Sequence, residues 1–485
     1  MTDDRKKVTV LGGSALATPI LVQVMGQRGA KGAYHLVFHG RNEERLELVK
    51  RVADTLVNFS PGLDLVTTWT TSLEKALEGA DYCINQIRVG GLEGRAFDES
   101  FPRQYSIPGE ETVGPGGFSN SMRGIPVILE ICRVIEKVAP HLVMLNLTNP
   151  SSIIQYAIRR YSKVNVIGTC DSPVALMEMI AKLLNYPVHE LHFEMAGMHH
   201  FGWILGVRHG EDELLPEVLR RSHEMPKLGT DPELVRVLGA IPSFYGKYYF
   251  HPDRVLAETE GRPIRAHQLM ALSDQMIADF RRWQPGTFPE MLAKRGAVWY
   301  EKIVAPALLA LAERQTVEMV LSVDNQGALP WLPAEAILEL PTIIQDGVVS
   351  GSRSASLPMN IQAMLTQNCA YEMLAAEAIA EQDRQKALKA LMANLLVNNF
   401  NQARGILDLI WPDERKMIFQ SLAIAQDSKS KLPFKVPTLH YGERLLEEYR
   451  PAEASFALVT MEELWDLVKD RFGRLPDHVL FMRDL

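Results

Sequence analysis

Four groups of residues carry types and spacings that can do chemistry. The first is Cys170-Asp171-Ser172-Pro173, a thiol beside a carboxyl. Thirty residues on, Gly197-Met198-His199-His200-Phe201-Gly202-Trp203 supplies imidazoles. A thiolate, an imidazole and open positions for substrate oxygens can hold a divalent transition ion, which makes Cys170 with His200 a metal-pair candidate. The plainer reading is that a lone cysteine after a strand is a small buried hydrophobe. The second group is Tyr245, Tyr248 and Tyr249 within 242–250, either a packed aromatic patch or the source of one activated phenol. The third is a set of guanidiniums, Arg88, Arg95, Arg123 and Arg265, which are solvated charges or an anion clamp; Arg88 and Arg95 share a glycine-rich loop, which tilts that loop toward ligand contact. The fourth, Gly12-Gly13-Ser14, is a tight turn whose backbone N–H groups can cradle a pyrophosphate at a helix N-terminus, or a purely structural corner.

These groups need strands and helices to position them. The spacing predicts strands at 8–11, 35–38, 65–69, 82–87, 142–147 and 164–169, with helices between them at 42–56, from near 117 and from 151. That alternation is an α/β pattern: a doubly wound, Rossmann-type parallel sheet covered on both faces. In such a sheet ligands gather at the carboxyl ends of the strands, where the glycine turn and Cys170 both fall. After about 190 the texture changes to short strand-like pieces at 191–196, 203–207 and 317–323 among long helical stretches. The expected organisation is a dinucleotide-binding domain at 1–190, a mixed α+β, largely helical substrate, metal and oligomerisation lobe at 191–400, and an extension of unknown role at 401–485. The second strand ends in Phe38-His39-Gly40-Arg41 without the acid that grips the ribose 2′-OH of NAD. Arg41 can stack on adenine or meet the 2′-phosphate of NADP, or be an exposed arginine at a helix start.

Composition excludes several function classes. A net charge of -8 without a Lys/Arg block argues against nucleic acid and anionic membranes. The N-terminus lacks the apolar core of a signal peptide and no apolar run reaches the roughly 18 residues of a membrane span, so a cytoplasmic protein is expected. Four cysteines, Cys83, Cys132, Cys170 and Cys369, have no paired spacing, which fits a reducing compartment without a disulfide framework.

From about Val8 to Leu396 the chain resembles glycoside hydrolase family 4. Five stretches carry the resemblance in family order and spacing: 85–95, Gly109-Glu110-Glu111-Thr112 with Gly114-Pro115-Gly116-Gly117, Asn146-Leu147-Thr148-Asn149-Pro150, 168–173, and His199-His200-Phe201-Gly202-Trp203. The resemblance implies NAD, with NADP as the variant that Arg41 would favour, bound at Gly12, Gly13, Ser14 and Arg41. It also implies a divalent metal, usually manganese, on Cys170 and His200, with Tyr245 as the base and Asn149 touching the sugar near the nicotinamide. Asp171 resembles the acid of the 6-phospho-α-glucosidase branch that assists the leaving group. Arg88, Arg95, Glu111 and Arg265 become candidates for holding the substrate, Arg95 and Arg265 for its phosphate. Three positions depart from the family's usual residues: His199 for Asn, Glu110 for Gln, and Ser14 for a third glycine.

Such a family is an exception to paired-carboxylate glycosidases. The implied reaction oxidises sugar C3 transiently, removes the C2 proton, eliminates the aglycone, adds water and returns the hydride. The expected partner is a small glycoside, and the expected assembly a homodimer or homotetramer. Two rivals stay open: a 2-hydroxy-acid-type NAD(P) dehydrogenase, which shares the nucleotide lobe, and a nucleotide-binding regulator that has lost catalysis.

Overall fold

In the first half of the chain, β-branched runs become strands and amphipathic segments become the helices that cover them, as a period of two against a period of 3.6 dictates. In a computed structural model, which describes residues 5–411 apart from 286, 288 and 352–356, the parallel strands are β1 (Lys6–Leu11), β2 (Tyr34–His39), β3 (Leu65–Thr70), β4 (Tyr82–Asn85), β5 (Val143–Asn146) and β6 (Asn165–Gly168). They lie in the order 3-2-1-4-5-6, the doubly wound order expected.

Both faces of this sheet are buried, and successive residues serve opposite cores. Val10, Ile84, Leu145 and Ile167 point to one; Leu11, Cys83, Met144 and Val166 point to the other. The helix Glu43–Asn58 covers the first face with Leu46, Val49, Ala53 and Leu56, and its start is fixed by the Asn42 side chain, which accepts from the Arg45 N–H at 2.9 Å. The helices Gly114–Val138, Ser151–Tyr161 and Met359–Glu381 cover the second, with Ile128, Ile154 and Ala375 among the contacts.

The remaining strands are β7 (His192–Met198), β8 (Phe201–His209), β9 (Asp212–Glu213), β10 (Ile241–Pro242), β11 (Val317–Asp324), β12 (Ile337–Gln345) and β13 (Val348–Gly351). Sequence reading places the mixed region after residue 190 as a second lobe. Its strands continue the first sheet in antiparallel fashion, in the order β6-β11-β12-β7-β8-β10. Two of these joins are made at single registered pairs, Ser322 with Gly168 and Glu339 with Gly197. Gly168 has to be glycine, since a Cβ there would lie 2.7 Å from the Ser322 Cβ.

Beyond the expected boundary at 400, the helix Phe400–Ile410 packs Ala403, Ile406, Leu407 and Ile410 into the second core. The rest of the expected extension, 412–485, lies outside the described residues.

Candidate active site

The parallel order reverses between β1 and β4, and the crevice that such a reversal opens at the strands' carboxyl ends is a cleft of about 960 Å³. Gly12 enters it from the end of β1, Arg88 from beyond β4, Asn149 from beyond β5, and Cys170 with Asp171 from β6. The antiparallel extension adds His199, His200 and Tyr245. Thus residues spread over more than 230 positions meet on one row of strand ends.

At one end of the cleft lies the glycine turn. Gly12 takes φ +78° and a Cβ on it would lie 2.9 Å from Gln86 O, while a Cβ on Gly13 would lie 2.8 Å from both Phe38 Cα and Val10 O, so the chain passes between β2 and the end of β4 only because neither residue has a side chain. Gly13 N–H is spent on His39 O at 2.7 Å. Among the described residues no acceptor meets the N–H of Ser14, Leu16 or Ala17, all of which line the cleft just before the helix Pro19–Gln27. Free backbone donors ahead of a helix are what a pyrophosphate requires, so the turn fits a dinucleotide. Arg41 and Arg45 line the same end.

Further along, Cys170, His199 and His200 bring their donor atoms within 4.8 Å of one another, and all three are buried. The two histidines form the tight turn between β7 and β8, where neighbouring side chains would ordinarily point to opposite faces. His200 adopts φ 61°, a left-handed conformation that costs about 1 kcal/mol for a residue with a Cβ. The imidazoles end up on the same side, ring centroids 3.7 Å apart. Thr112 Oγ1 lies 2.9 Å from His200 Nδ1 and also bonds Glu110 Oε2. With Glu110 a carboxylate, the hydroxyl donates to it and accepts from Nδ1–H, which leaves the His200 Nε2 lone pair for a cation. Burial pushes His199 down to about 3 and holds His200 low too, so both rings are neutral. Burial pushes the Cys170 thiol up, helped by Glu339 and Asp171. One thiol and two neutral imidazoles are donors for a first-row transition dication rather than magnesium or calcium.

Tyr245 stacks on His200 with centroids 3.5 Å apart and planes within 9°. Of the three tyrosines in its segment it alone lines the cleft, while Tyr249 packs edge-on against Phe201. Burial, Glu110 and Cys170 push its phenol up. Asp171 lines the cleft at the N-terminus of the helix Ser172–Leu184; burial pushes its carboxyl up, opposed by Lys302.

The guanidiniums divide. Arg88 and Arg95 line the cleft and both meet Glu111, Arg95 Nη1 at 2.8 Å, while Arg95 Nε also holds Glu99 at 2.6 Å. Arg123 is paired with the fully buried Asp98 beneath the loop. Arg265 opens the helix Arg265–Arg282, bonds Gln268 at 3.0 Å and does not line the cleft. Asn149 lines it, its carbonyl accepting from Asn120 at 3.1 Å.

Sequence reading missed several residues. Glu339 meets the Cys170 thiol from β12, is pushed up to about 8 by burial, and keeps Oε1 without a partner. A lone acid inside the apolar run 337–340 was its signal. Arg295, stacked on Trp299, and Tyr300, bonded to Gln86, also line the cleft, and no motif marks them. Thr112 belonged to a noted motif, yet its contact with His200 spans 88 positions and leaves no local trace.

With this geometry in place, the chain was compared with known proteins. The model of the family described as Family 4 glycosyl hydrolase matches residues 6–186, and that of the Family 4 glycosyl hydrolase C-terminal domain matches 195–397. A Bacillus subtilis protein named "Probable 6-phospho-beta-glucosidase" is 29% identical over 428 residues, covering 84% of this chain and 96% of the relative. A second from the same organism, named "Maltose-6'-phosphate glucosidase", is 27% identical over 440 residues, covering 84% and 96%. Among solved structures, the 6-phospho-beta glucosidase from Thermotoga maritima with manganese, NAD+ and glucose-6-phosphate superposes with a TM-score of 0.76 at 24% identity, covering 84% of this chain and 97% of that one. That likeness is one of fold.

Proposed function

Because the chain belongs to the family 4 glycosyl hydrolases, we propose that it hydrolyses an α-glycoside, with 6-phospho-α-glucosides as the substrate class, by oxidising and re-reducing the sugar within one turnover. The observation that carries the reading is convergence: a thiol, two imidazoles, a phenol and a carboxyl face one cleft whose other end offers free backbone N–H groups. The relatives' phosphoglucosidase names support a phosphorylated glucoside, the maltose-6'-phosphate name supports the α anomer, and the NAD+ and manganese of the Thermotoga maritima protein support the cofactors.

NAD, or NADP, would supply a hydride acceptor and donor for sugar C3, while Mn2+ or a similar dication would polarise the C2 and C3 oxygens. Gly12, Gly13 and Ser14 shape the turn that receives the pyrophosphate, and Arg41 meets the adenosine end. Cys170 and His200 would hold the ion. Tyr245, stacked on His200, would take the C2 proton, and a bound dication would supply the positive charge that favours its ionised phenol. Asp171 gives its proton to the departing aglycone oxygen. Asn149, Arg88, Arg95 and Glu111 orient the sugar. Arg95 is the phosphate candidate that lines the cleft, whereas Arg265 stands outside it. No helix among the described residues is long and apolar enough to cross a membrane. A cytoplasmic setting would keep Cys170 reduced, and the assembly we propose is a homodimer or homotetramer.

The test is a panel of free and 6-phosphorylated glycosides of both anomers, run in D2O with manganese, each nucleotide and a thiol reductant. Aglycone release from the 6-phospho-α-glucoside, with deuterium at sugar C2, is expected; product without label overturns the elimination step. Tyr245→Phe should slow turnover far more than it weakens manganese binding, and equal losses would mean another group is the base. NADH accumulating from a 2-hydroxy acid without aglycone release would identify a dehydrogenase instead. Tight nucleotide binding with no turnover of any glycoside would identify a regulator.

A further inference from the structure

We infer that His199 is a third protein donor beside Cys170 and His200, which makes this a two-nitrogen, one-sulfur centre that prefers cobalt and zinc to manganese. The inference rests on the metal centre of the proposed function and adds one ligand and a metal preference to it.

Three observations carry it. The donor atoms of the three residues lie within 4.8 Å of one another. An ion at the centre of a triangle of that side is about 2.8 Å from each corner, within about 0.8 Å of ordinary zinc–nitrogen and zinc–sulfur lengths, so rotamer adjustments alone close the site. Next, His199 is only 7% exposed and lines the cleft, and no hydrogen bond holds its ring nitrogens among the described residues. A buried imidazole without a partner forfeits the desolvation cost of its polar atoms unless something in the cleft engages it. Finally, the left-handed φ of His200 is what turns both rings to one side of the hairpin. The strain is local to the turn and its visible result is the shared direction of the two imidazoles.

A second imidazole changes the chemistry of the site. Nitrogen donors raise affinity along the series from manganese through cobalt and nickel, with zinc also well above manganese. Three protein donors leave three positions on a six-coordinate ion, enough for two sugar oxygens and a water. They leave only one on tetrahedral zinc.

The test uses the full chain titrated with Co2+, Zn2+ and Mn2+ alone, read by the visible and thiolate-to-cobalt absorption bands and by competition with a chelator. Wild type should bind cobalt and zinc about tenfold or more tighter than manganese. His199→Asn should lose about tenfold or more of the cobalt affinity, shift the visible band to that of a site with one fewer nitrogen, and change manganese affinity much less. His199→Gln provides the same readout should the shorter amide disturb folding. If both variants keep the wild-type cobalt spectrum and affinity while Cys170→Ser and His200→Asn weaken it, His199 is not a donor and the inference falls alone. If wild type binds none of the three ions, the metal centre of the proposed function falls with it.

Discussion

Replacing Thr112 with valine removes one oxygen from the centre of a three-residue chain and little else. The hydroxyl joins Glu110 Oε2 to His200 Nδ1, but Glu110 Oε2 also accepts from the backbone N–H of Thr112 and, at 3.1 Å, of Val113. The loss therefore falls on one buried donor, His200 Nδ1–H. Leaving such a donor unmet costs about 1–3 kcal/mol. For 485 residues the entropy of unfolding is about 1 kcal/mol/K, so Tm should fall by about 1–3 °C. The larger effect should be on metal: an imidazole that loses the partner fixing its tautomer loses about 10–100-fold in affinity. Manganese and cobalt titrations of the wild type, Thr112→Val and Thr112→Ser measure it. Serine keeps the hydroxyl and should bind metal within about threefold of wild type, inside the spread expected when no partner is lost. A valine variant that titrates like wild type, or a serine variant as weak as valine, would refute the reasoning.

Two further outcomes follow from buried charge. Arg123→Ala strands the carboxylate of Asp98, which is fully buried and holds Arg123 Nη1 at 3.0 Å, and should cost about 3–5 kcal/mol by thermal denaturation; a cost below about 1 kcal/mol would mean water reaches that carboxylate. Glu372, bonded to Asn368 at 3.0 Å, is pushed up to about 8 by burial. Between the unfolded carboxyl value near about 4.3 and that raised value the native state holds a proton the unfolded chain has released, so its contribution to stability is full at the acid end and lost as pH rises toward 8. In urea denaturation at pH 5 and pH 8, the Glu372→Gln variant should lose less stability on going up in pH than wild type, and an equal loss would show that Glu372 is ionised throughout.

Much of the fold was legible because its signal is local. The helix start at Asn42 follows from its capping side chain, and the helix from Ser151 and the strands at 34–39 and 65–70 follow from apolar periodicity within a few positions. The gathering of Gly12, Arg88, Asn149 and Cys170 at one edge follows from strand alternation. What was not legible is long-range. Nothing near Ser322 announces a pairing with Gly168, so strands after 190 read as a separate lobe rather than an extension of one sheet. The same holds for the site: His199 could be seen as unusual, yet its alignment with His200 depends on a left-handed turn, and Glu339 reaches Cys170 only through the antiparallel extension.

The strands from β3 to β10 run through one sheet, so both ends of the cleft are carried on a single layer. Gly12 and Cys170 stand three strand spacings apart along the row β1-β4-β5-β6, about 14 Å at the usual pitch between neighbours. The sheet thus serves as a ruler. A nucleotide anchored at one mark and an ion at another meet a sugar at a span set by backbone pairing, and molecules are sorted by whether they fit that gauge rather than by how far the protein closes around them.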